Sequence, residues 1–380
     1  MARSIRVGKY KLIFGRSATY DALLIRSGYI TDLAPHCAPA ALKVVDLSAR
    51  EIICRPTFLW YLGRFLISHS RQAAVLGAYV RQFRAKTVIC FDNIPVVFDW
   101  AEVLPMPLIV VQHGMRQMED DLAFPSTTSN VVFLSWGELE ADDFRNGRTT
   151  KYPNSSHNRK PREILPVGSL RDSLYRSRNF QITQKVGQLC LISQFKGIDG
   201  RGLVLPKERQ QNLELLGQYI NKYVFDHKLN LLIALYSDTS DALRAEKEWY
   251  RGIFGGNCIF NDPSQEFATY RATDESIISV GIHTSVLWEV FGRGKRMLAC
   301  NFTGHSVFKF PVPGPWYLHK ASYEEFEARL TYLRTLTDDE YSCLAGDKPK
   351  YLISYSEELP THEAIRSAVM KRVSQSRTSR

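Results

Sequence analysis

The segment "SVGIHTSVLWEVFGRGKRML" (279–298) decides the fold. Its opening belongs to an apolar run, "ESIISVG" (275–281), and its close begins another, "RMLACN" (296–301). Between them, 284–293 has the apolar spacing of a helix, with Thr284 or Ser285 as its cap and Gly292 and Gly294 as its stop. Strand, helix and strand in so short a span make a crossover unit of a parallel sheet covered on both faces.

The same alternation extends outward in both directions. Toward the N-terminus of this half, strands are expected at 188–195, 229–237 and 258–262, with helices at 207–227 and 240–254. An earlier series has strands at 9–15, 51–55, 87–91, 108–112, 131–136 and 163–169. Helices are expected there at 58–83 and at 93–104, where Asn93 caps and Pro95 sits in the first turn. One doubly wound sheet does not hold this many strands. The pattern predicts an α/β chain of two Rossmann-like doubly wound domains facing a central cleft. They span 1–178 and 179–350, followed by a C-terminal helix and basic tail over 351–380. The polar stretch 147–162 reads as an exposed loop of the first half, and the chain after about 320 reads as helical.

Composition narrows the function classes. Of 380 residues, 44% are hydrophobic and 23% charged, as in globular proteins. The longest apolar stretches, "FLWYLG" (58–63) and "PMPLIVV" (105–111), fall far short of the roughly 20 residues that cross a bilayer. No charged-then-apolar leader follows Met1, so a cytoplasmic location is expected. The net charge of +10 calls for an anionic partner. With 58–67 it suits peripheral contact with the anionic inner face of a membrane. The basic residues are spread rather than striped and no nucleic-acid module is visible, which ranks nucleic acid well below. Seven scattered cysteines without a C-x-x-C pair, four of them (Cys54, Cys90, Cys190, Cys300) in apolar runs, read as buried reduced thiols. The nine histidines show no metal-binding spacing, and no bound metal or cofactor is expected.

Doubly wound sheets bind ligands beyond the carboxyl ends of their strands, so strand-end residues carry the chemistry. In "LIVVQHGMRQMEDD" (108–121) these are Gln112, His113 and Arg116, with Gly114 allowing a tight turn. His113 suits proton transfer, and Gln112 and Arg116 suit an acceptor or phosphate. The plainer alternative is a histidine satisfied by a nearby carbonyl. In the second half, His283, Thr284 and Ser285 stand at a helix start, where free N–H groups bind phosphate, and Glu289 lies four residues beyond Ser285, positioned for a ribose. The alternative there is an ordinary cap with a capping-box glutamate. Ser193, Gln194 and Lys196 suit a phosphate, while Asp238 and Glu138 are single carboxylates at strand ends of opposite halves. Each of these could also be a helix cap or a solvated first turn. No G-x-G-x-x-G follows a strand, and neither a P-loop nor a G-x-S-x-G elbow occurs.

With these residues in place, the chain resembles the GT-B-fold transferases of bacterial surface-polysaccharide assembly. The likeness covers roughly 85–305. It rests on "QHG" after a buried strand, on the strand–Gly–His-Thr-Ser–helix–Glu–Gly-Lys run, and on "SWGELEADDF" and "LPVGSLRDSLY". The resemblance implies a nucleotide-sugar donor on the second domain, held by Ser193, Gln194, His283, Thr284, Ser285 and Glu289, with Lys196 the further donor-site candidate of the strand-end reading. It also implies a glycan or lipid-linked glycan acceptor against the first domain. One branch, the β-Kdo transferases that use CMP-Kdo, implies Asp238 as nucleophile, with His113 or Glu138 handling the acceptor proton. The other, the CDP-glycerol glycerophosphotransferases, implies a Thr-Asp plus serine motif, here Thr273-Asp274 set apart from Ser285 by a strand. Outside this resemblance stands a non-catalytic anion- or nucleic-acid-binding protein that uses the +10 charge.

Overall fold

The computed structural model describes residues 3–7, 10–14, 19–26, 30–37, 40–45, 51–53, 55–68, 71–92, 104, 106–115, 128–145, 161–195, 206–237 and 239–378. The chain divides into two compact units. Unit 1 comprises Met1–Ser173 with Ser354–Arg380, and unit 2 comprises Leu174–Ile353.

In unit 1 the strands are β1 (Arg3–Val7), β2 (Tyr10–Phe14), β3 (Ala22–Ile25), β4 (Leu42–Val45) and β5 (Glu51–Ile53). They continue with β6 (Thr87–Phe91), β7 (Leu108–Val111), β8 (Thr128–Ser135) and β9 (Pro161–Pro166). Six of them form a parallel sheet in the order β4-β3-β6-β7-β8-β9. Strands β3, β6 and β7 are buried along their whole length, which is why they read as unbroken apolar runs. Leu23, Val88, Val110 and Phe133 of this sheet pack with Val75 and Tyr79 of the helix Arg71–Phe83. Each such side chain contributes on the order of 1.5–3 kcal/mol by leaving water.

Two expectations for this unit are corrected. The runs at 9–15 and 51–55 do not join the doubly wound sheet: β1 and β2 form an antiparallel hairpin, and β5 lies parallel to β2 in a separate three-stranded sheet. Their places in the six-stranded sheet are taken by β3 and β4, four residues each and too short to stand out by periodicity. The apolar stretch 58–83 is two helices, Pro56–Ser68 and Arg71–Phe83, rather than one. The helix expected at 93–104 and the loop expected at 147–162 lie almost wholly outside the described residues.

Unit 2 holds β10 (Gln188–Ile192), β11 (Asn230–Ala234), β12 (Cys258–Phe260), β13 (Ile278–Gly281), β14 (Met297–Asn301) and β15 (Tyr317–His319). They form a second parallel sheet, in the order β12-β11-β10-β13-β14-β15. The helices Pro206–Asp226, Ser240–Phe254, Ala268–Asp274 and Ser285–Gly292 connect its strands. The order reverses at β10: β11 lies on one side of it and β13 on the other, so the loops leaving β10 and β13 diverge to opposite faces. At Gly281, the last residue of β13, a Cβ would stand 3.0 Å from Leu287 Cδ1, so the glycine lets the following helix pack close. Burial pushes the Cys37 and Cys190 thiols up to about 12 and also raises Cys90 and Cys300, as befits inert core thiols; Cys54 lies outside the described residues.

Gly168, just past β9, has φ +92°, and a Cβ there would lie 2.6 Å from Thr361 Oγ1 and 2.7 Å from the Ser354 carbonyl. Thr361 Oγ1 in turn donates to the Val167 carbonyl at 2.6 Å, and Ser354 N donates to the Trp136 carbonyl at 2.7 Å. The returning C-terminal segment is thus stitched onto the end of the first sheet. Gly168→Ala should cost about 2–3 kcal/mol through strain and overlap together. Denaturant unfolding followed by circular dichroism would show a shift of that order, and an unchanged midpoint would refute the fit described.

Candidate functional site

In unit 2 the chemistry gathers where the strand order reverses. The loop after β10 carries Ser193 and Gln194, and the loop after β13 carries His283, Thr284 and Ser285. Gln194 Oε1 accepts a hydrogen bond from the His283 backbone N–H at 3.0 Å and so ties the two loops together. The Gln194 amide nitrogen has no acceptor among the described residues, which leaves a donor at the mouth. Thr284 is the cap of the helix Ser285–Gly292, its Oγ1 accepting from Val286 N at 3.4 Å. The third helical residue is Leu287, so Glu289 forms no capping box.

Ser193 stands behind this mouth. Its hydroxyl donates to the Glu246 carboxylate and accepts from Tyr250 OH at 2.9 Å and Phe195 N at 3.2 Å. Glu246, wholly buried, also accepts from Tyr236 N and Ser237 N, each at 2.9 Å. This bracket holds the exit of β10 against the exit of β11. Glu289 is likewise buried, and its Oε2 accepts from Tyr270 OH at 2.9 Å in the packing against the helix Ala268–Asp274. Its carboxylate therefore has a protein partner where a ribose contact was expected. Thr273 and Asp274 are held by Arg293, at 3.0 Å each, and Asp274 also accepts from Tyr175 OH at 2.6 Å. Lys196 and Asp238 lie outside the described residues.

One residue of this site escaped the strand-end reading. Arg209, in the first turn of the helix Pro206–Asp226, is 8% exposed, and its Nε has no hydrogen-bond partner. No carboxylate pairs with it among the described residues. Its guanidinium lies 5.4 Å above the Phe308 ring, against whose face or edge His283 and His305 also pack, at 6.1 and 6.2 Å. Burial pulls Arg209 below its ordinary value, yet a guanidinium stays charged at neutral pH. A cation in a helix's first turn opposes the helix dipole, and that opposition is the signal a sequence could have offered. A buried cation with no acceptor among the described residues has the chemistry that an anion would satisfy.

Unit 1 offers a different chemistry at its strand ends. His113 follows β7, and its Nδ1 lies 3.4 Å from Oδ1 of Asp92, the residue directly after β6. The same oxygen accepts from the His113 backbone N–H at 2.9 Å. The histidine thus has a carboxylate neighbour, and Asp92 was missed although it too ends a strand. Gln112 is buried, donating to Glu140 Oε1 at 2.8 Å and to the Gly114 carbonyl at 3.0 Å while accepting from Trp136 N at 2.7 Å. It braces the β7 and β8 exits. Glu138 is half-buried at the first position of the helix Glu138–Arg145, and Arg116 lies outside the described residues. Among the described residues no cluster of His, Cys, Asp and Glu could hold a metal ion, and no helix is long and apolar enough to cross a membrane.

No protein-family model and no curated protein matches the sequence. Solved structures match in fold. The UDP-GlcNAc 2-epimerase of Methanocaldococcus jannaschii, solved with UDP-GlcNAc and UDP, aligns with a TM-score of 0.54 at 10% identity, over 92% of this chain and 99% of that one. The UDP-GlcNAc 2-epimerase of Neisseria meningitidis, bound to UDP-GlcNAc, aligns at 0.52 and 11% identity, over 93% and 98%. Sucrose-phosphate synthase of Thermosynechococcus elongatus aligns at 0.51 and 11% identity, over 96% and 100%. At such identities the likeness is one of architecture: the chain has the two-domain α/β GT-B fold.

The buried imidazole yields a pH test. Burial, reinforced by the Arg209 charge, pushes His283 down to about 3 from an ordinary value of 6.5. Between those values the unfolded chain binds a proton that the folded chain refuses, so this contribution to stability is full above 6.5 and lost as pH falls. Acidifying from about 6.5 to about 5 should cost up to about 1.4 kcal/mol per pH unit from this group. His283→Gln should flatten that part of the profile. Thermal unfolding of both proteins across the range checks it, and parallel profiles would contradict it.

Proposed function

We propose that the protein is a glycosyltransferase that takes its sugar from a nucleotide-activated donor held on unit 2. The observation that carries the reading is the Arg209 guanidinium, buried with no acceptor among the described residues and close enough to lower the pKa of His283, the residue before the cap of the helix Ser285–Gly292. In this reading Arg209 and the Gln194 N–H face the donor phosphate, and Thr284 and Ser285 present the helix start to it. His283 stays neutral and contributes a ring hydrogen bond rather than a charge. Ser193 and Glu246 position the loops. The fold likeness to proteins solved with UDP-GlcNAc supports a nucleotide-sugar ligand.

On the acceptor side, His113 is the base. Asp92 beside Nδ1 would favour the tautomer that carries no proton on Nε2, the form that general-base work requires. Asp238 remains the nucleophile of a double displacement, with Glu138 as the second acid, and the finer reading is transfer of Kdo from CMP-Kdo to a surface-polysaccharide or lipid-linked glycan. The CDP-glycerol alternative is weakened by the engagement of Thr273 and Asp274 with Arg293.

A thermal-shift and calorimetric screen against CMP, CDP, UDP, GDP and their sugars tests the donor site. One nucleotide class should bind, and Arg209→Ala should weaken it by about 1–3 kcal/mol, the worth of a charge-assisted hydrogen bond. Equal affinity in the variant would remove this site. Salt-dependent binding of random oligonucleotides without nucleotide binding would favour the non-catalytic alternative.

The chemistry is separable from binding. Asp238→Ala should abolish turnover with donor affinity intact if transfer retains configuration, whereas His113→Ala should do so if it inverts. Donor turnover in the absence of any acceptor, giving an epimer or free sugar, would replace the transferase reading.

A further inference from the structure

We propose that the helix Pro56–Ser68 docks the protein onto an anionic lipid bilayer. The inference does not depend on the transferase reading. A helix at the surface of a folded unit normally turns one apolar stripe inward and a polar face outward. This one, "PTFLWYLGRFLIS", is apolar on both faces. Phe58 is buried, and Tyr61 and Leu62 pack against the unit 1 core, which accounts for the inward stripe. The opposite face presents Leu59, Trp60 and Leu66 to solvent at 50, 58 and 47% exposure. They surround Gly63, also exposed, and form a contiguous strip rather than scattered single residues.

Charge selects the occupant. Between Glu51 and Asp92 the chain has no acidic residue, and it carries Arg55, Arg64, Arg71, Arg81, Arg84 and Lys86. Arg64 is exposed and sits 5.5 Å above the Trp60 ring. An exposed indole with an arginine beside it is the pairing that settles at a headgroup boundary, ring toward the acyl chains and cation toward phosphate. A second copy of this chain is a poorer fit, since a two-fold contact through this face would bring Arg64 against its own image.

The test uses the full-length protein and sedimented vesicles of phosphatidylcholine alone or mixed with phosphatidylglycerol. The protein should sediment with the anionic vesicles, stay in solution with the neutral ones, and be released by salt. The double variant Leu59→Gln/Trp60→Gln should lose about tenfold or more of the bound fraction, because binding scales with inserted apolar area. Both positions are exposed, so its melting temperature should match that of the parent. Brominated acyl chains should quench parental tryptophan emission more than that of the Trp60→Phe variant. Equal vesicle binding by parent and double variant overturns the proposal. So does absence of binding to anionic vesicles, or a dimer in sedimentation velocity that the double variant splits without any vesicle binding.

Discussion

One hydrogen bond organises unit 2: the His283 backbone N–H donating to Gln194 Oε1. Parallel strands on either side of a reversal send their connections to opposite faces, so the two loops at that point share no ladder to keep them in register. The glutamine side chain supplies the missing link. Both residues are buried, and leaving that N–H unpaired would cost about 1–3 kcal/mol. The same bond fixes the residue that precedes the cap of the next helix, Thr284. Arg209 approaches from another helix and completes the charge. The proposed anion site is therefore a consequence of strand order as much as of residue type.

Unit 1 solves the same topological problem with different groups. Gln112 again braces neighbouring loops, here between the exits of β7 and β8, through Trp136 and Glu140. Next to it stands an imidazole beside a carboxylate rather than a buried cation. In both units a buried amide side chain fixes backbone next to a histidine. Gln112 precedes His113 in sequence, whereas Gln194 reaches His283 from the neighbouring strand's loop.

How much of this the sequence displayed follows from burial and length. Strands buried on both faces, such as β6, β7 and β10, read as continuous apolar runs and were legible. The four-residue strands β3 and β4 gave too little pattern, and β2 and β5 read as strands without revealing that they pair with each other. For the site, the strand-end rule located His113, Gln194 and His283 but not the direction in which each side chain points. Glu289 shows the limit clearly. Its spacing from Ser285 fixed a shared side of the helix, yet "SVLWEVFG" has no polar face to say which side is solvent. Arg209 was hidden for the opposite reason: a helix-start arginine in a polar stretch looks solvated, and only the tertiary packing of Phe308 over it makes it buried.

The stitch between Gly168 and the segment beginning at Ser354 makes unit 1 discontinuous, with all of unit 2 inserted between its parts. Chains leave the ribosome from the N-terminus and domains ordinarily close in that order. Here the order is inverted. Unit 2 has every one of its residues once Ile353 has emerged, whereas unit 1, begun first, waits for Thr361 and the helix Thr361–Thr378. During that interval the end of the first sheet lacks its covering segment, and the nascent protein carries one finished half and one unfinished half. The vulnerability of this chain during synthesis, to proteases or to association with other nascent chains, is thereby concentrated in the portion that was translated earliest.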